Sequence, residues 1–417
     1  MRDVYLVAGG VTRFARAQPR MDFRTMVKEA YDLAMGDVPE LKPKDIGMTV
    51  CSYFSDHFTR QLMAGAMVQD YLGLCPKPSR RVEGGGATGG LAIHSAYEAV
   101  ASGRADVCLA CGFETMSRVS TRKGNEIIAL ASDTNFDYPL GGFYTAYYAM
   151  MAVRRMHEFG TTADQMALVS VKNHGNAIHN PFAQAPARLT VGEVRSSGLV
   201  AWPLTRLDCS LISDGAAVAI LCDRETAFSI TDHPVLVKGV GAGTDTMRMA
   251  DRPRGRVIPL PHERAGDYRG LKYPGVHSCR ADRMAAKAAY AQAGIRDPRE
   301  ELDFAELYDA YTSAEIQAYE DLGLCRYGEG GSFVEKGRSA LGGDLPINPS
   351  GGLLGCGHPI GATGLMQAVF ALWQLQGKMK EHLGSRRLQV RGARRGLVHS
   401  HGGPGTYSTV TVLERAE

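Results

Sequence analysis

The stretch Val82-Glu83-Gly84-Gly85-Gly86-Ala87-Thr88-Gly89-Gly90 decides the fold class. It follows a short apolar entry and opens into residues 89–101, where Leu91, Ala96 and Val100 recur at helical spacing. The pattern predicts a strand, a tight glycine turn and a helix. In such a unit the first N–H groups of the helix face a crevice, and glycines let a ligand approach them closely. A glycine run alone also reads as a packing turn, so its meaning depends on its surroundings.

Those surroundings are α/β. Up to residue 115, apolar or β-branched runs at 4–7, 48–53 and 107–112 alternate with helical stretches at 23–35, 60–72 and 89–101, the rhythm of a sheet covered by helices. From 117 to 199 the alternation gives way to aromatic, Met-rich and helical stretches, including 144–159 and 162–177. This reads as an insertion between sheet strands that shapes a substrate site. Residues 214–221 return as a strand. The second half then repeats the theme with strand 235–240, helix 280–293, strand 302–306, helix 313–322, a glycine-rich turn, helix 364–376 and a closing strand pair at 396–400 and 407–413. Two halves result, 1–230 and 231–417. No identity between them is visible, so duplication is inferred from element order alone.

At 417 residues the chain is long enough for two core units. Hydrophobic residues at 44% and charged residues at 22% are ordinary for a soluble protein, and no apolar run is long enough for a membrane span. The N-terminal apolar stretch is too short for a signal peptide and the C-terminal residues carry no peroxisomal tripeptide, so a cytoplasmic location is expected. A net charge of +3 with scattered basic residues gives a nucleic-acid groove little support. Nine cysteines without framework spacing point to reduced thiols. Cys108 and Cys111 form a C-x-x-C within an apolar run and have no second ligand pair, so they read as buried thiols. No metal site is expected.

Three further segments carry chemistry. They are Glu306-Leu307-Tyr308-Asp309-Ala310-Tyr311-Thr312; residues 348–364, with Asn348, Gly351-Gly352 and Gly357-His358-Pro359-Ile360-Gly361-Ala362-Thr363-Gly364; and His399-Ser400-His401-Gly402-Gly403. The second resembles the histidine motif of the thiolase superfamily, N-x-x-G-G…G-H-P-x-G-A-T-G. The Tyr308 segment resembles the family's N-E-A-F or H-D-A-F motif, the His399 segment its C-terminal motif, and residues 209–217 a mid-chain signature. The resemblance spans essentially the whole chain. It is closest to the branch of sterol-carrier-protein thiolases and the related lipid-transfer, steroid side-chain-cleaving aldolases. It implies the thiolase fold, two similar halves in five layers α/β/α/β/α with an inserted loop region, and a dimer as the minimal unit.

The departures are as informative as the match. The family's nucleophilic Cys aligns with Gly86, and glycine cannot carry an acyl group, so the thioester mechanism lacks its acceptor. Cys356 is the one substitute thiol, and it also reads as a small buried residue filling a turn. The Asn or His of the second motif is Tyr308, while the histidine survives as His358. Imidazole and phenol can each polarise a thioester carbonyl and stabilise an enolate. A reaction that needs an enolate but no acyl-enzyme is the retro-aldol cleavage of a β-hydroxyacyl-CoA.

The expected function is therefore an aldolase that cleaves a bulky β-hydroxyacyl-CoA, for which the resemblance implies a steroid side-chain thioester, to a ketone and acetyl- or propionyl-CoA. The alternatives are a thiolase or other acyltransferase, and a non-catalytic acyl-CoA- or lipid-binding subunit. Tyr308, His358 and His401 are the expected catalytic residues. Pleat geometry puts His399 and His401 on one face and Ser400 on the other. Asp309 is expected to satisfy N–H groups at a helix start rather than to ionise in the pocket. Gly86, Gly352, Gly402 and Gly403 are the expected backbone contacts of the CoA thioester. No tightly bound cofactor is expected, CoA entering as part of the substrate. Tyr144, Tyr147, Tyr148, Met150 and Met151 offer a broad apolar surface that is expected either to line the acyl and pantetheine channel or to pack the insertion onto the sheet. The resemblance also implies a small companion subunit bearing a zinc ribbon and an OB-fold, in a two-plus-two assembly around the dimer.

Overall fold

The computed structural model describes residues 2–252, 257–271 and 274–416. Its strands are β1 (Val4–Val11), β2 (Met48–Ser52), β3 (Ser79–Val82), β4 (Val107–Thr115), β5 (Leu199–Ala201), β6 (Leu204–Thr205), β7 (Asp214–Asp223), β8 (Val235–Thr244), β9 (Phe304–Glu306), β10 (Arg395–Gly402) and β11 (Tyr407–Arg415). β5 and β6 form a small ribbon. The other strands hydrogen-bond in the order β3-β2-β4-β7-β1-β8-β11-β10-β9.

This nine-stranded array is two sheets meeting at an edge. β1 and β8 pair only through Tyr5 with Leu236 and Leu6 with Val235. On both sides of that seam the topology repeats, from the seam outward: first strand, last strand, third, second. β1, β7, β4 and β2 correspond to β8, β11, β10 and β9, with β3 as an extra edge strand. In each set the outer pair is parallel and the inner pairs antiparallel. A shared strand order and orientation is stronger support for duplication than the alternation of elements.

Helix Phe23–Gly36 covers β1 and β7 from outside, and helix Arg280–Ala293 covers β8 and β11. Helices Thr88–Ala101 and Ile360–Gln376 pack against each other and against strands of both halves. The sequence of layers is therefore helix, sheet, central helices, sheet, helix, as the resemblance implied. Every residue of Ile360–Gln376 is buried, as expected of a helix with no solvent face. Glycines let the two central helices touch backbone to backbone. A Cβ at Gly89 would lie 2.6 Å from the Gly364 nitrogen, and one at Gly364 would lie 2.4 Å from the Gly90 nitrogen. The crossing brings together the N-terminal ends of the two helices, and with them Gly86 and His358.

Two helix starts differ from expectation by more than one residue. The helix expected over 60–72 begins at Ala64, because Arg60 and Met63 have φ of 53° and 56°, a left-handed backbone that interrupts a right-handed helix. The helix expected over 364–376 starts earlier, at Ile360 directly after Pro359, because complete burial outweighs the poor propensity of Gly361 and Gly364. Among the described residues no helix is long and apolar enough to cross a membrane.

Candidate active site

The Gly86 turn is built by local hydrogen bonds. Thr88 Oγ1 accepts the Gly84 N–H at 3.0 Å and donates to the Gly85 carbonyl, while the Glu83 carboxylate accepts the Gly85 N–H. This shapes a short 3-10 turn, Gly85–Ala87, that leads into helix Thr88–Ala101. Facing it, Tyr308 leaves the end of β9, and His358 lies between the short helix Gly352–Cys356 and Pro359.

Asp309 joins these last two segments. Its carboxyl accepts the N–H groups of Leu353 at 2.6 Å and Leu354 at 3.2 Å, and a bond from Asn173 Nδ2 at 2.7 Å. It thus caps a helix start, as expected, but the helix of the His358 segment and not the one that follows it in sequence. Burial and neighbouring Glu315 push its carboxyl up to about 7. The mid-chain signature has a related task, since Ser213 Oγ accepts the His358 N–H at 2.8 Å.

Tyr308 Oη lies 2.8 Å from His358 Nε2, and His358 Nδ1 lies 2.8 Å from Thr363 Oγ1. The Thr363 hydroxyl donates to the Pro359 carbonyl at 2.9 Å, so toward the imidazole it can only accept. That network puts the His358 proton on Nδ1 and leaves Nε2 to accept from the Tyr308 hydroxyl. Burial agrees with this assignment. It lowers His358 to about 3, so the ring is neutral, and raises the Tyr308 phenol well above its usual value, so the hydroxyl keeps its proton. The result is a preformed Thr363–His358–Tyr308 chain in which neither imidazole nitrogen is left to donate to a substrate oxygen.

The phenol occupies the place a nucleophile would need. A Cβ at Gly86 would lie 2.1 Å from Tyr308 Oη, 2.5 Å from Tyr308 Cζ and 2.3 Å from the His401 carbonyl oxygen. Gly86 and Tyr308 are therefore a matched pair.

A narrow cleft, open to solvent, leads to this point. Gly85, Gly86, Tyr308 and His358 form one end, and Phe54, Met116, Ile128, Tyr144, Tyr148, Ile212, Tyr311 and Ile360 form apolar and aromatic walls. Among the described residues, no Asp, Glu, Lys or Arg side chain lines it. Of the insertion residues expected here, Tyr144 and Tyr148 line the cleft, four residues apart on one helix face. Tyr147 and Met151 turn into the core, and Met150 is 49% exposed on the outside.

The structure thus brings Gly86, Tyr308 and His358 together and leaves the other expected residues behind the cleft. His401 is buried with its ring stacked on that of Tyr308, centroids 5.8 Å apart and planes at 21°. His399 and His401 share a face, as expected, and both meet Asp282, with His399 Nε2 at 3.0 Å and His401 Nδ1 at 3.1 Å. Gly402 packs against the Gly84 carbonyl, Gly403 offers its carbonyl to the Tyr148 hydroxyl at 3.2 Å, and Gly352 sits against the Asp309 carboxylate. None of these three lines the cleft.

Cys356 is buried between Asn180 Nδ2 and the Ser350 carbonyl, each 3.3 Å from its sulfur, and burial raises its thiol well above normal, so it is no activated nucleophile. Cys108 and Cys111 are buried in β4. Among the described residues, metal-type donors of Cys279, Asp282 and His401 lie within 4.8 Å of one another, with the Asp282 carboxylate already engaged by both imidazoles.

Sequence reading passed over two residues of this site. Thr363 lay inside the quoted motif and carried a signal, a hydroxyl five residues after the histidine. Asp282 carried none, being 117 residues from His399.

The chain matches the thiolase N-terminal domain over residues 4–188 and the thiolase C-terminal domain-like family over residues 273–415. It is 39% identical to an acetyl-CoA acetyltransferase of Methanothermobacter thermautotrophicus over 100% of both chains. It is 30% identical to sterol carrier protein 2 of Oryctolagus cuniculus over 96% of this chain and 70% of that protein. Among solved structures it superposes on an Ltp2-ChsH2(DUF35) aldolase with a TM-score of 0.78 at 24% identity, covering 99% of this chain and 98% of that one. Both thiolase domains in order, and a relative matched from end to end, establish that this chain is a member of the thiolase superfamily.

Proposed function

We propose that the protein cleaves a β-hydroxyacyl-CoA by a retro-aldol reaction, giving a ketone and a short acyl-CoA such as acetyl- or propionyl-CoA. The observation that carries this reading is the Tyr308 hydroxyl standing where a side chain at position 86 would have to be. A site that fills the acyl acceptor's space with a phenol is equipped for proton transfer and not for acyl transfer.

In this reaction the substrate's β-hydroxyl gives its proton to the Tyr308 oxygen as Tyr308 passes its own to His358 Nε2. The Cα–Cβ bond breaks, its electron pair moves into the thioester as an enolate, and the Cβ–O bond becomes a carbonyl. The proton then returns from His358 through Tyr308 to Cα. No group has to be ionised beforehand; burial disfavours the imidazolium formed at His358, and the enolate charge that develops beside it in the same step offsets that cost. The helix start at Gly85 and Gly86 is the proposed seat of the thioester carbonyl, where the helix dipole favours developing negative charge.

The apolar and aromatic walls favour a bulky apolar substituent on Cβ, such as a steroid or other polycyclic ring system. A homodimeric core and a small companion subunit belong to the same reading. The second component named with the structurally similar aldolase supports the companion.

A second reading, thiolytic acyl transfer, is favoured by the name of the 39% identical relative. One experiment separates the two. The protein, alone and with any co-purifying partner, is incubated with a ring-bearing 3-hydroxyacyl-CoA without free CoA. Release of a ketone and a short acyl-CoA is expected, whereas turnover that appears only with a 3-ketoacyl-CoA and added CoA establishes the thiolase.

A further inference from the structure

While His358 meets the hydroxyl of Tyr308, the rest of that residue is held from behind. Asp282, in the first turn of helix Arg280–Ala293, is 2% exposed and meets two imidazoles of β10. His399 Nδ1 faces the Tyr308 backbone N–H in a long contact of 3.5 Å, so that nitrogen accepts and the proton on Nε2 goes to Asp282. His401 donates from Nδ1 to Asp282 and lies flat against the Tyr308 ring. Its Nε2 has no hydrogen-bond partner among the described residues. One carboxylate thus orders both the backbone and the ring plane of Tyr308.

We propose that Asp282 is a positioning residue for Tyr308, acting through His399 and His401 to keep the phenol oxygen within reach of His358 Nε2. Burying a carboxylate is costly unless it is fully paired, and both imidazoles that pair this one touch Tyr308. Burial pushes its carboxyl up, and the His401 and His399 imidazoles more than reverse that, holding it far below the usual carboxylate range. The carboxylate is therefore charged whenever the protein is folded near neutral pH. The pair stays rigid because each imidazole has its tautomer set by this acceptor.

The inference rests on the reading that the Tyr308 hydroxyl does chemistry, but not on which carbon–carbon reaction it serves. Asp282→Asn preserves size and one acceptor oxygen. It is expected to lower kcat about a hundredfold, the cost of a misplacement of about 1 Å, with little change in KM and with the fold retained by circular dichroism. Combining it with Tyr308→Phe separates positioning from structure. If Asp282 acts through the hydroxyl, Asp282→Asn changes the Tyr308→Phe enzyme by no more than about twofold; a purely structural role makes the two losses multiply. Where the rate of Tyr308→Phe is too low for the comparison, the ring ζ-carbon resonance of Tyr308 in 13C-tyrosine-labelled protein serves instead, and it should move in Asp282→Asn. Multiplying losses, or an unmoved resonance, overturn the proposal. Near-normal turnover of Tyr308→Phe alone overturns the reading beneath it.

Discussion

Gly86→Ala adds one methyl group at the point where the site is tightest. The backbone of Gly86 is not in the left-handed region, so an alanine there carries no torsional penalty and the whole effect is steric. The new Cβ would lie 2.1 Å from Tyr308 Oη, 2.5 Å from Tyr308 Cζ and 2.3 Å from the His401 carbonyl oxygen. Each contact is about 1 Å or more short of an ordinary van der Waals separation. The Tyr308 oxygen can swing, but the carbonyl belongs to β10 and moves only with the strand. Overpacking of this kind costs about 1–3 kcal/mol. A shift of about 1 Å in the phenol removes it from its 2.8 Å bond to His358 and lowers the rate about a hundredfold.

The assays are CoA-free cleavage of the 3-hydroxyacyl-CoA and a thermal melt. Gly86→Cys meets the same obstruction, so restoring the family's thiol should raise neither aldol cleavage nor thiolysis. Removing the oxygen with Tyr308→Phe relieves one of the three contacts and leaves the other two, so the double variant should remain destabilised. Gly86→Ala that turns over at the wild-type rate with an unchanged melt would refute the pairing of Gly86 with Tyr308.

Tyr308→Phe on its own keeps the ring and its stack on His401, and should lose about a hundredfold to ten-thousandfold in rate without unfolding; a small loss moves the chemistry elsewhere. Thr363→Val is nearly isosteric but leaves the His358 Nδ1 proton without its acceptor, costing about 1–3 kcal/mol. Turnover should then fall about tenfold or more as the other tautomer becomes competitive, and unchanged kinetics would show that Thr363 does not set the ring. His358 also leaves a mark on stability. Its ordinary value of 6.5 is lowered by burial to about 3 in the folded protein, so between these values the unfolded chain binds the extra proton and stability declines as pH falls. In His358→Gln the decline across that window should be shallower in denaturant titrations, and a slope equal to wild type would contradict a buried neutral imidazole.

Periodicity and glycine placement in the chain already implied alternating strands and helices, two halves and a crevice at a helix start. The motif around His358 was specific enough to bring the rest of the family's fold with it, and the missing side chain at Gly86 was visible as a single letter. These are local properties: spacing tells which face of an element is apolar, and a glycine shows where backbone must bend or come close. What an apolar face packs against is not local. The same glycines that read as a ligand turn also let helices Thr88–Ala101 and Ile360–Gln376 touch, and only that crossing sets the Tyr308 oxygen in the space Gly86 leaves empty. Composition shows the insertion to be aromatic and Met-rich, but only the helix's orientation turns Tyr144 and Tyr148 to the cleft and Tyr147 and Met151 to the core. Asp282 had no signature at all, because a buried carboxylate acquires its role from two imidazoles more than a hundred residues away. Sequence determined which groups are present and which is absent; long-range packing decided which of them touch, because contact between distant segments depends on the summed burial of whole elements and not on the pattern within any one.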